Sequence, residues 1–163
     1  MGSAVMALGR VTAELPEGVE SLCLVRFGLV VRRVSALVFV RRMARRVDRA
    51  VAEAVAGGAG LLHAERFSMG WRHVGAWQYW AGFEALDAWS RRPPHAEWWR
   101  EALDRMRARG DVGVYHEAYL VARRDVESIY LDCPPLGLAA FGVTAEPVGP
   151  RTTARDRLGR RSG

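Results

Sequence analysis

The sequence predicts an α+β domain, and two features of its apolar patterning carry that expectation. Alternation with a period of two recurs in four short segments, and a three-to-four-residue period governs the stretches between them. In order they read strand, helix, strand, strand, helix, strand, with the second helical stretch split by Pro93-Pro94. Helices that return to one face of an antiparallel sheet in this order give the ferredoxin-like arrangement β-α-β-β-α-β.

Each element has its own signal. Residues 21–31 set Cys23, Val25 and Phe27 on one face against Leu22, Leu24 and Arg26 on the other. From 33 to 56 the period lengthens: Val34, Leu37, Val38, Val47, Val51 and Val55 form the expected apolar stripe, arginines 41, 42, 45, 46 and 49 occupy the other sides, and Gly57-Gly58 ends the helix. Residues 61–69 alternate Leu61, His63, Glu65 and Phe67 against Leu62, Ala64 and Arg66. After a turn, residues 73–80 divide into Val74, Ala76, Gln78 and Trp80 on one face and His73, Gly75, Trp77 and Tyr79 on the other. Residues 82–91 place Phe83, Leu86 and Trp89 on a helical stripe, and 95–109 form a further helix closed by Gly110.

The last strand, 110–121, carries unusual cargo. Val112, Val114, His116, Ala118 and Leu120 share one face, and Gly113, Tyr115, Glu117, Tyr119 and Val121 share the other. So many polar groups on one strand need partners or a cavity. A short helical turn near 125–130 and a Pro/Gly-rich stretch through Gly149 follow. The organisation expected is a loosely held leader at 1–18, one ferredoxin-like domain at 19–149, and a basic, disordered tail at 150–163. Because the helices cover only one sheet face, a homodimer that closes two sheets into a barrel is the economical cover for the other.

Composition excludes several classes. Half of the 163 residues are hydrophobic and 26% are charged, as in an ordinary globular domain. The net charge of +6 rests on arginine alone, since the chain has neither lysine nor asparagine. That bias reads as the codon usage of a GC-rich genome, so no nucleic-acid partner is expected despite the basic balance. Cys23 and Cys133 have no metal-ligand spacing and read as reduced thiols of a cytoplasmic protein. Arginines 26, 32 and 33 interrupt the apolar stretch 19–40, which argues against stable membrane insertion. No phosphate loop, dinucleotide fingerprint, nucleophile elbow or zinc-protease motif occurs.

Three blocks carry a family resemblance: Gln78-Tyr79-Trp80 followed by Gly82-Phe83-Glu84-Ala85-Leu86; His95-Ala96-Glu97-Trp98; and the strand from Gly110 to Val121. Glu127-Ser128-Ile129-Tyr130, Pro134-Pro135-Leu136-Gly137-Leu138 and the segment 152–158 extend the pattern. Together they resemble the DUF4188 family, also labelled monooxygenase-like after a fungal polyketide-tailoring oxygenase. The resemblance implies a dimeric α+β barrel, the fold shared by antibiotic-biosynthesis monooxygenases, heme-degrading monooxygenases and heme-containing aldoxime dehydratases. It implies an oxidoreductase of secondary metabolism whose chemistry needs either no cofactor or a heme.

The candidate catalytic residues are His95, His116, Glu117 and Gln78. By the resemblance His95 is also a possible heme ligand; otherwise it is a helix-start residue meeting backbone or solvent. His116 and Glu117 point to opposite faces and form no dyad with each other. A cavity-facing His116 would act as a base on an acidic phenol or enol, and a structural hydrogen bond is its plain alternative. Gln78, the only glutamine, would orient a substrate carbonyl. Trp77, Tyr79, Trp80, Trp98, Tyr115, Tyr119 and His63 are the expected wall for a flat hydrophobic ligand, although large aromatics also fill cores. The arginine-rich helix either grips an anion or presents a solvated face.

The function expected is a tailoring monooxygenase acting on an aromatic or polyketide small molecule. The alternatives are a heme enzyme with aldoxime-dehydratase-like chemistry and a non-catalytic binding or cyclisation-guiding protein.

Overall fold

The computed structural model describes residues 8–158. In chain order its elements are β1 (Leu8–Glu14), β2 (Ser21–Val31), α1 (Leu37–Ala56), β3 (Leu61–Ser68), β4 (His73–Trp80), α2 (Phe83–Ser90), α3 (His95–Arg109), β5 (Val112–Ala122), β6 (Tyr130–Cys133), β7 (Val143–Ala145) and α4 (Ala154–Arg157), with short 3-10 turns between several of them. They divide into two units: one is built from residues 22–120, the other from the described stretches on either side of it, 8–21 and 121–158.

The unit at 22–120 is an α+β, ferredoxin-like fold with a four-stranded sheet in the order β3-β4-β2-β5. Strands β2 and β4 pair antiparallel from Cys23 opposite Trp80 to Val30 opposite His73, and β3 pairs antiparallel with β4. The helices pack on one sheet face. At one end Val31, Phe39, Val40, Met43, Ala102 and Val112 form a core, and at the other Cys23, Val25, Ala54, Leu61, Trp80 and Leu86 form a second. Gly110 ends α3 in the left-handed region (φ 58°), where its N–H reaches the Met106 carbonyl at 2.9 Å. Beside it the buried Asp111 accepts from Ser35 at 2.9 Å and from two nitrogens of Arg105. Burial would raise its carboxyl, but these bonds and the Arg105 charge hold it below the ordinary carboxylate range.

Two features of this unit differ from the sequence pattern. The buried stripe of α1 is Phe39, Val40, Met43, Ala50 and Ala54, whereas Val38 is 78% exposed and Val34 and Val55 face solvent. Of the expected stripe Leu37, Val47 and Val51 do pack against the core, as partly buried side chains. Strand β3 carries a bulge: Leu61 lies opposite Trp80 while His63, two residues on, lies opposite Tyr79. The extra residue turns His63, Glu65 and Phe67 away from the face that Leu61 shares with the core.

The other unit gathers segments read from the sequence as leader, Pro/Gly-rich stretch and tail. Strand β1 lies between β6 and β7 in a three-stranded antiparallel sheet. Ser128 locks to Ala13 through two 2.9 Å bonds, and the Arg123 guanidinium donates to the carbonyls of Leu15, Pro16 and Val19. Within the expected tail, α4 opens on a Thr153–Asp156 capping box, and Arg157 donates to Glu127 at 2.8 Å. Pairing partners distant in sequence hold these segments, and local patterning does not record them. The remaining parts of the expected leader and tail, 1–7 and 159–163, lie outside the described residues.

Candidate functional site: an apolar cavity between helices and sheet

A cavity of about 360 Å³ lies within the ferredoxin-like unit, between the helices and the sheet face they cover. Val40, Met43 and Val47 of α1 form one wall, Leu86 and Trp89 of α2 with Trp98 and Ala102 of α3 another, and Leu29, Val74, Ala76 and Val114 the floor. The strand period explains the floor: these positions share a face because each is an even number of residues from its neighbours along the strand.

Few polar groups interrupt this lining. His95 opens α3 with its ring 4.8 Å from that of Trp89, and its Nδ1 lies 3.1 Å from the Ser90 carbonyl. A carbonyl only accepts, so Nδ1 carries the hydrogen and Nε2 keeps the lone pair. Burial pushes this imidazole below its ordinary value, against the smaller raising effect of the Ser90 bond. His116 stands at the cavity rim, open to solvent on one side and edge-on to Trp99 at 6.3 Å on the other. Partial burial, then repulsion from His95, lower it as well. Both shifts favour the neutral imidazole.

Gln78 is 3% exposed and also lines the cavity. Its Oε1 accepts from Trp80 Nε1 at 3.1 Å, and because an indole N–H can only donate, that bond fixes the amide's orientation. The Nε2 hydrogens have no protein acceptor among the described residues, which leaves them for a ligand.

The structure separates the sequence-derived candidates by face. His95, His116, Gln78 and Trp98 line the cavity. Trp80 is wholly buried in the core beside Trp89, and its indole N–H donates to Gln78. Trp77, Tyr79, His63, Glu117 and Tyr119 do not line the cavity. They occupy the opposite sheet face, where Arg26 bonds Glu117 at 3.0 Å and lies over the rings of Phe67, Trp77 and Tyr115. Tyr115 reaches the lining at the edge of the sheet, but its hydroxyl is engaged by His73 at 2.7 Å. The single-strand alternation that grouped these aromatics also dictates the split: successive residues cannot share one wall. Trp89 and Trp99, part of the same aromatic-heavy middle of the sequence, line the cavity too, and Met43 completes it without having been singled out.

Among the described residues no cluster of His, Cys, Asp and Glu is arranged to hold a metal ion, and no helix is long and apolar enough to cross a membrane.

An α+β sheet-and-helix unit thus holds an apolar cavity with a small polar set. The chain belongs to the monooxygenase af470-like family, which matches residues 24–138. No curated protein matches its sequence. Among solved structures, an aldoxime dehydratase superposes with a TM-score of 0.67 at 15% identity, covering 97% of this chain and 46% of that one. A second aldoxime dehydratase, in complex with butyraldoxime, gives 0.66 at 17% identity over 92% of this chain and 42% of that one. This chain thus spans less than half the length of either. SnoaB, a cofactor-independent oxygenase from Streptomyces nogalater, gives a TM-score of 0.40 at 12% identity, covering 61% of this chain and 91% of that one.

Proposed function

We propose that the chain is a tailoring monooxygenase that oxidises a hydrophobic aromatic or polyketide molecule in the helix-side cavity, with no cofactor needed for the proton step. One observation carries this reading. Two histidines and a pre-oriented amide share a lining that is otherwise mostly apolar. At about 360 Å³ the cavity falls near the small end of the roughly 300–1,000 Å³ range of ligand pockets, which suits a molecule of a few fused rings.

His95 Nε2 takes a proton from an acidic CH, phenol or enol of the substrate, and His116 assists from the rim. The Gln78 amide hydrogens bind the oxyanion that forms, in a water-poor setting that strengthens them. The carbanion then gives electrons to dioxygen. An activated methylene and a molecule of dioxygen give a ketone carbonyl and a molecule of water. Both C–H bonds of the methylene and the O–O bond break, one oxygen atom stays on carbon, and the other leaves as water with both hydrogens. The test is oxygen uptake with aromatic polyketide substrates. His95→Gln is expected to cost about 10²–10⁴-fold in kcat with the fold retained, the usual worth of a general base. Undiminished turnover in that variant overturns the assignment. Substrate binding without oxygen consumption by the unaltered protein selects the non-catalytic binding alternative.

The His95 arrangement also favours a second reading, a heme enzyme related in chemistry to aldoxime dehydratases. A ring that donates Nδ1–H to a carbonyl and keeps Nε2 free has a nitrogen that could hold an iron. His95 would hold the iron, and the heme would supply the redox or Lewis-acid chemistry. A Soret band after hemin addition, lost in His95→Gln, selects this reading; a protein that turns over without one selects the first.

A homodimer belongs to the same proposal. The sheet face opposite the helices carries Trp77, Tyr79 and Tyr119, the last 47% exposed, and a second copy would cover it.

A further inference from the structure

Charge distinguishes one point on the cavity from the rest. Among the described residues that line it, the ionised side chains are Arg41, Asp48 and Arg66. Asp48 and Arg66 neutralise each other in a 2.8 Å ion pair. Arg41 is exposed at the mouth and has neither hydrogen bond nor ion pair among the described residues. By contrast Arg42 and Arg46, on the next face of the same helix, both engage Glu101. The cavity is therefore an apolar chamber with one uncompensated positive charge at its entrance. Low-dielectric walls focus such a charge on whatever sits between it and the interior.

We infer that Arg41 is a specificity-determining residue and that the cavity takes an aromatic molecule bearing a single carboxylate, its rings inside and its acid group on the Arg41 guanidinium. This rests on the cavity being the substrate site. The planar guanidinium pairs with a carboxylate through two parallel N–H donors, and the pair stays at the rim where neither charge loses all its water. The same contact sets direction: with the acid at the mouth, the ring system extends toward Gln78 and His95. A neutral molecule of equal shape would fill the chamber without this anchor.

A matched ligand pair tests the inference without requiring turnover. Binding of 1-hydroxy-2-naphthoic acid and of its methyl ester is measured by calorimetry to the full chain, at low and at moderate salt. The acid is expected to bind about tenfold tighter than the ester, as fits a charge-assisted bond partly screened by solvent. Arg41→Gln should bring the acid to the ester's affinity, leave the ester within about twofold, and abolish the salt sensitivity. Arg41→Lys should restore part of the preference. Arg45→Gln, which removes the same net charge one turn further along α1 and away from the lining, should preserve it. Equal binding of acid and ester by the unaltered chain, or an acid preference that survives Arg41→Gln, overturns the inference; so does failure of both ligands to bind. An Arg41-dependent preference in a chain that consumes no oxygen supports it and overturns the oxygenase reading alone.

Discussion

His95 and His116 are chemically different from the same residues in solution, and the difference has a sign. Burial lowers both below the ordinary imidazole value of 6.5, and each disfavours a second positive charge on the same cavity. An unfolded chain would bind protons near 6.5 that the folded one refuses, so stability is full above that value and declines as pH falls from it toward the depressed values. Activity that uses a neutral base follows the same direction. We expect the acid limb of kcat/KM to lie below pH 6.5, and His95→Gln to move the His116 titration upward in an NMR pH series. An unmoved His116 would show the two sites to be uncoupled. Gln78 gives a second prediction at this scale. Gln78→Leu leaves the buried Trp80 N–H without an acceptor, which costs about 1–3 kcal/mol and should lower the melting temperature. If activity is also lost in Gln78→Glu, which keeps an acceptor for Trp80, the amide hydrogens themselves are implicated.

At the level of elements, the sheet depends on a pair of glycines. Gly28 of β2 and Gly75 of β4 stand opposite each other, and their missing side chains make room for the rings of Tyr115 and Phe67. A Cβ on Gly28 would stand 2.7 Å from both the Tyr115 hydroxyl and the Val74 carbonyl oxygen. The backbone oxygen cannot rotate aside, so Gly28→Ala should destabilise by about 1–3 kcal/mol, measurable as a shift in the denaturant midpoint. A neutral result would mean that β2 and β4 can separate without loss. The elements themselves were legible from the sequence: strand 73–80 and helix 95–109 were read with the bounds the structure shows, because strong alternation and a Pro-to-Gly frame leave little choice. The β3 bulge was not legible, since Leu61, His63, Glu65 and Phe67 satisfy period two whether or not an extra residue intervenes. The inner face of α1 was legible only in part: Leu37, Val47 and Val51 pack against the core as expected, but the alanines and Met43 give a weak apolar signal that the exposed Val34, Val38 and Val55 outvoted.

For the whole molecule, the cavity and the aromatic sheet face are separate surfaces with separate tests. If a second copy covers the latter, sedimentation should give twice the 18.1 kDa protomer mass, and Tyr119→Arg together with Trp77→Glu should yield a monomer. Because those residues lie across the sheet from the histidines, the monomer's ligand affinity should change far less than its assembly. A wild-type chain that sediments as a monomer would remove the barrel from the proposal and leave the cavity in place.

What the residues alone determined was the list of elements, their order, and which side chains travel together on each strand; local sterics and periodicity write those directly into the chain. What only the tertiary structure decided was which of the two sheet faces receives the helices and so holds the cavity. That choice leaves Trp77, Tyr79, Glu117 and Tyr119 outside the cavity and sets Gln78, His95, His116 and Trp98 in its lining beside Arg41, Trp89 and Trp99. It also paired β1 with β6 and β7 across more than a hundred residues. Alternation specifies two faces but does not label them; the label comes from helix packing and long-range pairing, which no short window of sequence contains.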